Sequence, residues 1–255
     1  MNKHIPVIWF CALLVFPEAG LLPAAAGSGH PSANAAVDEI SALPAFVADY
    51  ELERNGMRAA RLTRSLGCDD GLCEFRSEGQ TVGLIDLLLR GRIEEWTRFG
   101  IAENGGIEPR EYFYRQRARG GNNAYRRLFF SPATNRVSSR GDEQWEVAIE
   151  GETMDQLLSQ LRLMQAVRAG RTEMTFSVVE DDGEVEEYHF EVMGTESVQT
   201  GAGMYDAIRV EHVGGSSKRR TAMWFAPELD YIPIIVRHER IGRETITATL
   251  IKVRE

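Results

Sequence analysis

The stretch Val185-Glu186-Glu187-Tyr188-His189-Phe190-Glu191-Val192 sets Tyr188, Phe190 and Val192 in alternation with Glu187, His189 and Glu191. A period of two, with one apolar and one wet face, marks an antiparallel strand covered on one side. Upstream, Asp181-Asp182-Gly183 supplies a turn and residues 174–179 the partner run. The same unit recurs at the other end of the chain. There Phe46, Ala48, Tyr50 and Leu52 alternate with polar neighbours, Asn55-Gly56 forms a two-residue turn, and residues 57–66 run back. Further strand signals fall at residues 74–77, 93–101, 111–117, 125–130, 145–149, 205–213, 220–225, 232–239 and 244–253, about a dozen strands in all.

Two segments break the rhythm. Residues 81–90, TVGLIDLLLR, suit either a short helix or a buried loop. Residues 154–169 read as a helix, with Met154, Leu157, Leu158, Leu161, Met164 and Val167 on one face. Thr153 and Gln156 are spaced as a capping box, and Gly170 is the stop. The expected fold is mainly β: a large curved antiparallel sheet, an open half-barrel like that of lipoprotein carriers, with one or two covering helices. A closed β-sandwich is the alternative.

Composition sets the class. The 255 residues, 43% hydrophobic and 26% charged, suit a folded domain with a sizeable core. A net charge of −9 argues against a nucleic-acid partner and against anionic membrane surfaces. Residues 1–26 carry Lys3 and His4, an apolar run over 5–16 and the small ending Ala24-Ala25-Ala26, the pattern of a signal peptide. That run is too short to span a bilayer, and no later segment is long and apolar enough to do so. Residues 27–43 read as a flexible linker, and 44–255 as a single β-rich domain of an exported, periplasmic protein. Cleavage leaves Cys68 and Cys73, an even pair flanking Asp69-Asp70-Gly71 between two strand-like runs; a cross-strand disulfide is expected.

Catalytic signatures are missing from the sequence: no nucleophile elbow, phosphate loop, zinc-protease helix or dinucleotide fingerprint. No metal or other cofactor is expected. His189, His212 and His238 fall on different strands and read as surface histidines; the acidic run at Glu180-Asp181-Asp182 reads as a solvated turn. The stretch 111–130, EYFYRQRARGGNNAYRRLFF, interleaves rings with arginines. Tyr112, Tyr114, Arg115, Arg117, Tyr125 and Arg127 are its candidates for an anionic head group, with Leu157 and Leu161 of the helix against the apolar part of the same ligand. A chain with 26 Arg and 3 Lys also places such strands on ordinary wet surfaces. A non-catalytic binding or carrier module for an apolar or lipid-like envelope ligand is the foremost reading. A structural or interaction protein of the envelope, and an enzyme without recognisable motifs, stay open.

Trp224-Phe225-Ala226-Pro227-Glu228-Leu229-Asp230-Tyr231-Ile232-Pro233-Ile234, preceded by Gly194-Thr195-Glu196 and the turn Gly203-Met204-Tyr205-Asp206, resembles the exported bacterial domain-of-unknown-function family 3108. The helix start at residues 154–161 and the opening strand at 46–54 resemble it too, so the likeness spans roughly residues 44–253. It implies export and a β-rich domain, and carries no agreed activity or catalytic residues. The segment 67–73 is not a feature of that resemblance, so the disulfide rests on the residues alone. On this reading Pro233 opens an edge strand. Mass spectrometry of the exported protein should find its first residue near Gly27; an intact Met1 or Lys3 would rule the leader out.

Overall fold

The computed structural model describes residues 43–102, 106–121, 123–214 and 219–254, with the side chains of Leu84 and Leu89 outside that set. The expected leader and nearly all of the expected linker lie outside the described residues. The chain opens with β1 (Phe46–Arg54), β2 (Met57–Asp69) and β3 (Leu72–Thr81), then a short helix α1 (Gly83–Leu89). It continues through β4 (Arg92–Ile101), β5 (Ile107–Arg117), β6 (Ala124–Ser131), β7 (Arg136–Gly141), β8 (Trp145–Ala148) and β9 (Thr153–Met154). Helix α2 (Gln156–Arg168) precedes β10 (Glu173–Val179), β11 (Val185–Thr200), β12 (Gly203–Val213), β13 (Arg219–Ala226), β14 (Ile232–Arg240) and β15 (Glu244–Arg254). All fifteen strands form one sheet in the order β8-β7-β6-β5-β4-β3-β2-β1-β15-β14-β13-β12-β11-β10-β9. The sheet is open and mainly antiparallel, as the alternation predicts.

Both described ends of the chain meet in its middle. β1 pairs with β15, so the sheet grows outward to β8, crosses to the far edge at β9 and returns. Only residues 149–152 separate the two edge strands in sequence, and so short a link spans at most about 18 Å. The sheet must therefore roll until its edges approach. Side chains bridge the seam: Trp145 Nε1 donates to the Asp181 carbonyl at 2.9 Å, and Arg126 pairs with Asp181 at 2.6 Å. Gly183, at φ 91°, lies under the Trp145 indole, where a Cβ would come within 2.9 Å of the ring; only glycine meets both demands.

Helix α2 fills the roll. Leu157, Leu158, Leu161, Leu163 and Met164 are at most 1% exposed, and Gln156, Ser159 and Gln160 on the other side are buried as well. It is thus an internal plug rather than the one-faced cover its pattern suggests. Its cap also differs from the expected box. Asp155 accepts from the Leu158 N–H at 2.8 Å and from the β4 hydroxyl of Thr97 at 2.7 Å, while Thr153 belongs to β9 and donates to the Glu150 carbonyl. One carboxylate thereby starts the helix and ties it to the opposite wall.

Cys68 and Cys73 face each other across the β2–β3 hairpin and are joined, 4.0 Å between Cα atoms, around a tight Asp70-Gly71 turn. Pro233 is not on an edge: β14 lies between β13 and β15, and the proline pairs with Phe225 at a register shift, where a ladder N–H is dispensable. The core segments 222–226 and 232–236 are buried on both faces. The tip of the long β11–β12 hairpin bends back over them, the Gly201 N–H donating to the Leu250 carbonyl of β15 at 3.1 Å.

Replacing Leu161 by Ala should destabilise the protein by about 3 kcal/mol in urea titrations, because the surrounding sheet cannot collapse into the void. The same change at exposed Leu87 of α1 should cost about 0.5 kcal/mol or less.

Candidate functional site

Alternation along each strand sorts the charged side chains into an inner and an outer set. Inside, register aligns Arg64 (β2), Ser77 (β3), Glu95 (β4), Tyr114 (β5) and Arg126 (β6) in one transverse row. The start of α2 lies against this belt. Tyr112 donates to Glu95 at 2.8 Å, Thr97 to Asp155, and both Tyr188 and Gln156 to Glu180. Arg64 is 2% exposed and its guanidinium lies 5.9 Å from the centre of the Tyr50 ring. The Tyr50 hydroxyl, Arg64 Nε, one oxygen of Glu95 and the amide oxygens of Gln156 and Gln160 are buried without hydrogen-bond partners among the described residues.

Burial governs the protons here. It pushes Glu95 and Glu180 up to about 8 and Asp155 and Asp181 up to about 6, against the opposing hydrogen bonds from Tyr112, Tyr188 and Thr97 and the opposing charges of Arg64 and Arg126. Burial also lowers His238, whose ring Nδ1 lies 2.9 Å from the Thr221 hydroxyl, to about 4. Two expectations are corrected. Glu180 is not on a solvated turn, because the β10–β11 tip folds inward over the helix start; His238 is buried, whereas His189 is on the wet face with Glu187. Among the described residues no group of three or more His, Cys, Asp or Glu side chains is placed to hold a metal ion.

On the outside, a groove of about 760 Å³ crosses β15, β1, β2, β3, β4 and β5. Two transverse rows line it. The lower one, Lys252, Asp49, Thr63, Glu78, Glu94 and Arg115, is largely matched within the protein: Arg115 meets Glu94 at 2.5 Å, and Asp49 holds Arg254 and Thr63, each at 2.7 Å. The upper row is Arg61, Gln80, Arg92 and Arg117, with Arg92 and Arg117 directly opposite each other. These three arginines are exposed and have no hydrogen-bond or ion-pair partner among the described residues. Like charges facing each other across a ladder oppose strand pairing.

The sequence candidates divide between the two faces. Tyr112 and Tyr114 point inward, 3% and 0% exposed, in the same interior as Leu157 and Leu161. Arg115 and Arg117 point outward and line the groove. Tyr125 packs edge-on against Phe113, and Arg127 is held by Glu111 over the Phe129 ring. The eight residues therefore do not form one mouth; residues of both parities along β5 cannot share a face, and Tyr125 and Arg127 of β6 lie on the outer one. Arg61, Gln80 and Arg92 escape a linear reading because only strand register brings them beside Arg117.

A family model described as protein of unknown function, DUF3108, matches residues 49–250. The chain belongs to that family. No curated protein matches the sequence. Among solved structures, a β-barrel-like protein of the domain of unknown function DUF1849 from Brucella abortus superposes with a TM-score of 0.53 at 12% identity, covering 83% of this chain and 97% of that one. A candidate exported protein with a YmcC-like fold from Bacteroides fragilis gives 0.29 at 10% identity, over 83% and 94% of the two chains. The Brucella likeness is one of fold alone, and it agrees with the rolled, open sheet of this DUF3108 protein.

The raised glutamates set a pH dependence. From the ordinary carboxylate range up to about 8, native Glu95 and Glu180 hold protons that the unfolded chain releases, so stability falls as pH rises through that window. His238 acts in the opposite sense, but only below its ordinary value of 6.5. Between about pH 6.5 and 9 the thermal midpoint should fall by roughly 5 °C. Glu180→Gln should flatten that fall; an unchanged slope would remove Glu180 from the account.

Proposed function

We propose that this DUF3108 protein is an exported, non-catalytic binding module of the cell envelope, whose lipid-like ligand is engaged through its anionic group in the outer groove. The observation that carries this reading is the upper row: Arg92 and Arg117 face each other, and Arg61 lies beyond Gln80 opposite a Glu51 engaged by Arg58, none of the three with an ion-pair partner among the described residues, while the row below them is largely matched. An anionic group with several oxygens would relieve that repulsion through charge-assisted hydrogen bonds, and Gln80 adds a neutral donor between two of the arginines. The leader at residues 1–26 supports export to the periplasm, with residues 27–43 as linker and the domain beginning at 44.

An apolar chain held inside the roll is the weaker form of the idea, because α2 already occupies that space with side chains at most 1% exposed. The buried carboxyls do not favour an enzyme: Glu95, Asp155 and Glu180, 1% to 3% exposed, are out of a substrate's reach. A purely structural role would leave the upper row without a purpose.

Calorimetric titration with dihexanoyl phosphatidic acid, kept below its micelle concentration, and with inorganic pyrophosphate should give saturable binding that weakens as salt rises. Arg92→Gln with Arg117→Gln should weaken it at least about tenfold. Equal binding by the double variant would overturn the groove as the site.

A further inference from the structure

The groove's upper row lies close to one end of the roll, where the chain turns between β1 and β2, between β14 and β15, and through α1 between β3 and β4. That end exposes large apolar side chains: Met57 at 67%, Leu87 at 66%, Leu88 at 72% and Ile241 at 46%. Hydrogen bonds hold the turns together as one surface. The Val82 N–H, just before α1, donates to the Ala59 carbonyl at 3.1 Å; Asn55 and Thr245 exchange two bonds at 2.8 Å, joining the turn that ends at Met57 to the one that contains Ile241.

Charge distinguishes this end from the opposite one. Around its apolar tips stand Arg90, Arg119 and Arg243, all exposed and without ion-pair partners among the described residues, together with the open row of the groove. At the opposite end, exposed Leu72 neighbours Asp69 and Asp70 instead. The acidic side chains nearest these tips are mostly engaged: Asp86 accepts from Thr81 at 2.7 Å, Glu51 pairs with Arg58 and Glu244 with Arg54, while Glu53 is exposed; further acidic groups stand on the β7–β8 and β10–β11 tips, toward the edges of the sheet. Protruding apolar side chains flanked by free arginines that outnumber the one free carboxylate beside them, Glu53, complement an anionic lipid surface, in which leucines enter the acyl boundary while guanidinium groups meet phosphates.

We infer that the protein docks on anionic phospholipid membranes through this end, with Leu87 and Leu88 of α1 inserted at the interface and Arg90, Arg92, Arg117 and Arg119 on the head groups. The inference rests on the anionic-ligand reading of the groove and names its source as a bilayer lipid. Docking also brings the groove's upper row to the head-group layer, where a lipid phosphate reaches Arg92 and Arg117 without leaving the bilayer. The net charge of −9 does not oppose this, because screening limits each charge to neighbours within about 8 Å at physiological salt.

Co-sedimentation of the exported protein with phosphatidylglycerol–phosphatidylcholine vesicles, against vesicles of phosphatidylcholine alone, tests the docking. Binding to the anionic vesicles should be at least about tenfold stronger and should fall about fivefold for each arginine removed in Arg90→Gln and Arg119→Gln. Leu87→Ser with Leu88→Ser should abolish sedimentation while leaving the titration with dihexanoyl phosphatidic acid unchanged. Equal partition onto both vesicles, or full sedimentation of the leucine variant, overturns the docking. If the soluble lipid still binds in those cases, the groove reading survives alone. If Arg92→Gln with Arg117→Gln leaves soluble-lipid binding intact while the leucine variant loses the vesicles, the docking stands and the groove reading falls.

Discussion

A helix with almost no wet side cannot rest on a flat sheet, because a flat sheet covers one face and leaves the other in water. Burying Leu157, Leu158, Leu161, Leu163 and Met164 together with Gln156, Ser159 and Gln160 requires walls on several sides. One continuous sheet supplies them by rolling. The Asp155 carboxylate then has two tasks with one group: it caps the helix through the Leu158 N–H and fixes it to Thr97 of the far wall. The inward bend of the β10–β11 tip, the burial of Glu180 and the Trp145 bridge across the seam all follow from closing the sheet round that plug.

The strands were legible because alternation is a local property: residues 46–52 and 185–192 show it directly, and each turn between them has Gly, Asn or Asp to reverse the chain. The Cys68–Cys73 bridge was legible for the same reason, since a two-residue turn fixes which residues face each other. Burial of α2 on its polar side was not. Gln156 and Gln160 look like wet positions, and only tertiary closure buries them. Pro233 misled in a related way: its missing N–H suggests an edge, while a register shift beside Phe225 lets a central strand accommodate it.

The candidate site was half legible. Of the interleaved rings and arginines of 111–130 only those of β5 reach the groove, because alternation sends Tyr112 and Tyr114 into the core and Arg115 and Arg117 to the groove, and β6 contributes nothing to its lining. The partners of Arg117 come from β2, β3 and β4, up to 56 positions away in sequence, and no periodicity reports which strands pair. Net charge does not report such a local arrangement either. It sums over a surface on which the anions of the β10–β11 tip and the free arginines near α1 occupy different sectors, and a partner meets one sector at a time.

The topology also constrains how the molecule assembles. β1 and β15 are the first and last strands in sequence yet neighbours in space, so β1 keeps an open edge until the C-terminal strand arrives. Pairings of such separation close slowly, and unpaired edges invite association meanwhile. The sequence offsets this with local contacts. Each of the first seven strands pairs with its immediate successor, and the disulfide at the β2–β3 turn holds one hairpin without waiting for distant partners. At the finished edges the protection is of another kind: β9 pairs only over Ser177 and Val178 of β10, too short to template a stranger, and β8 has four residues with Trp145 turned to the seam. An open sheet of fifteen strands thus ends in two short edges brought together by the helix it encloses.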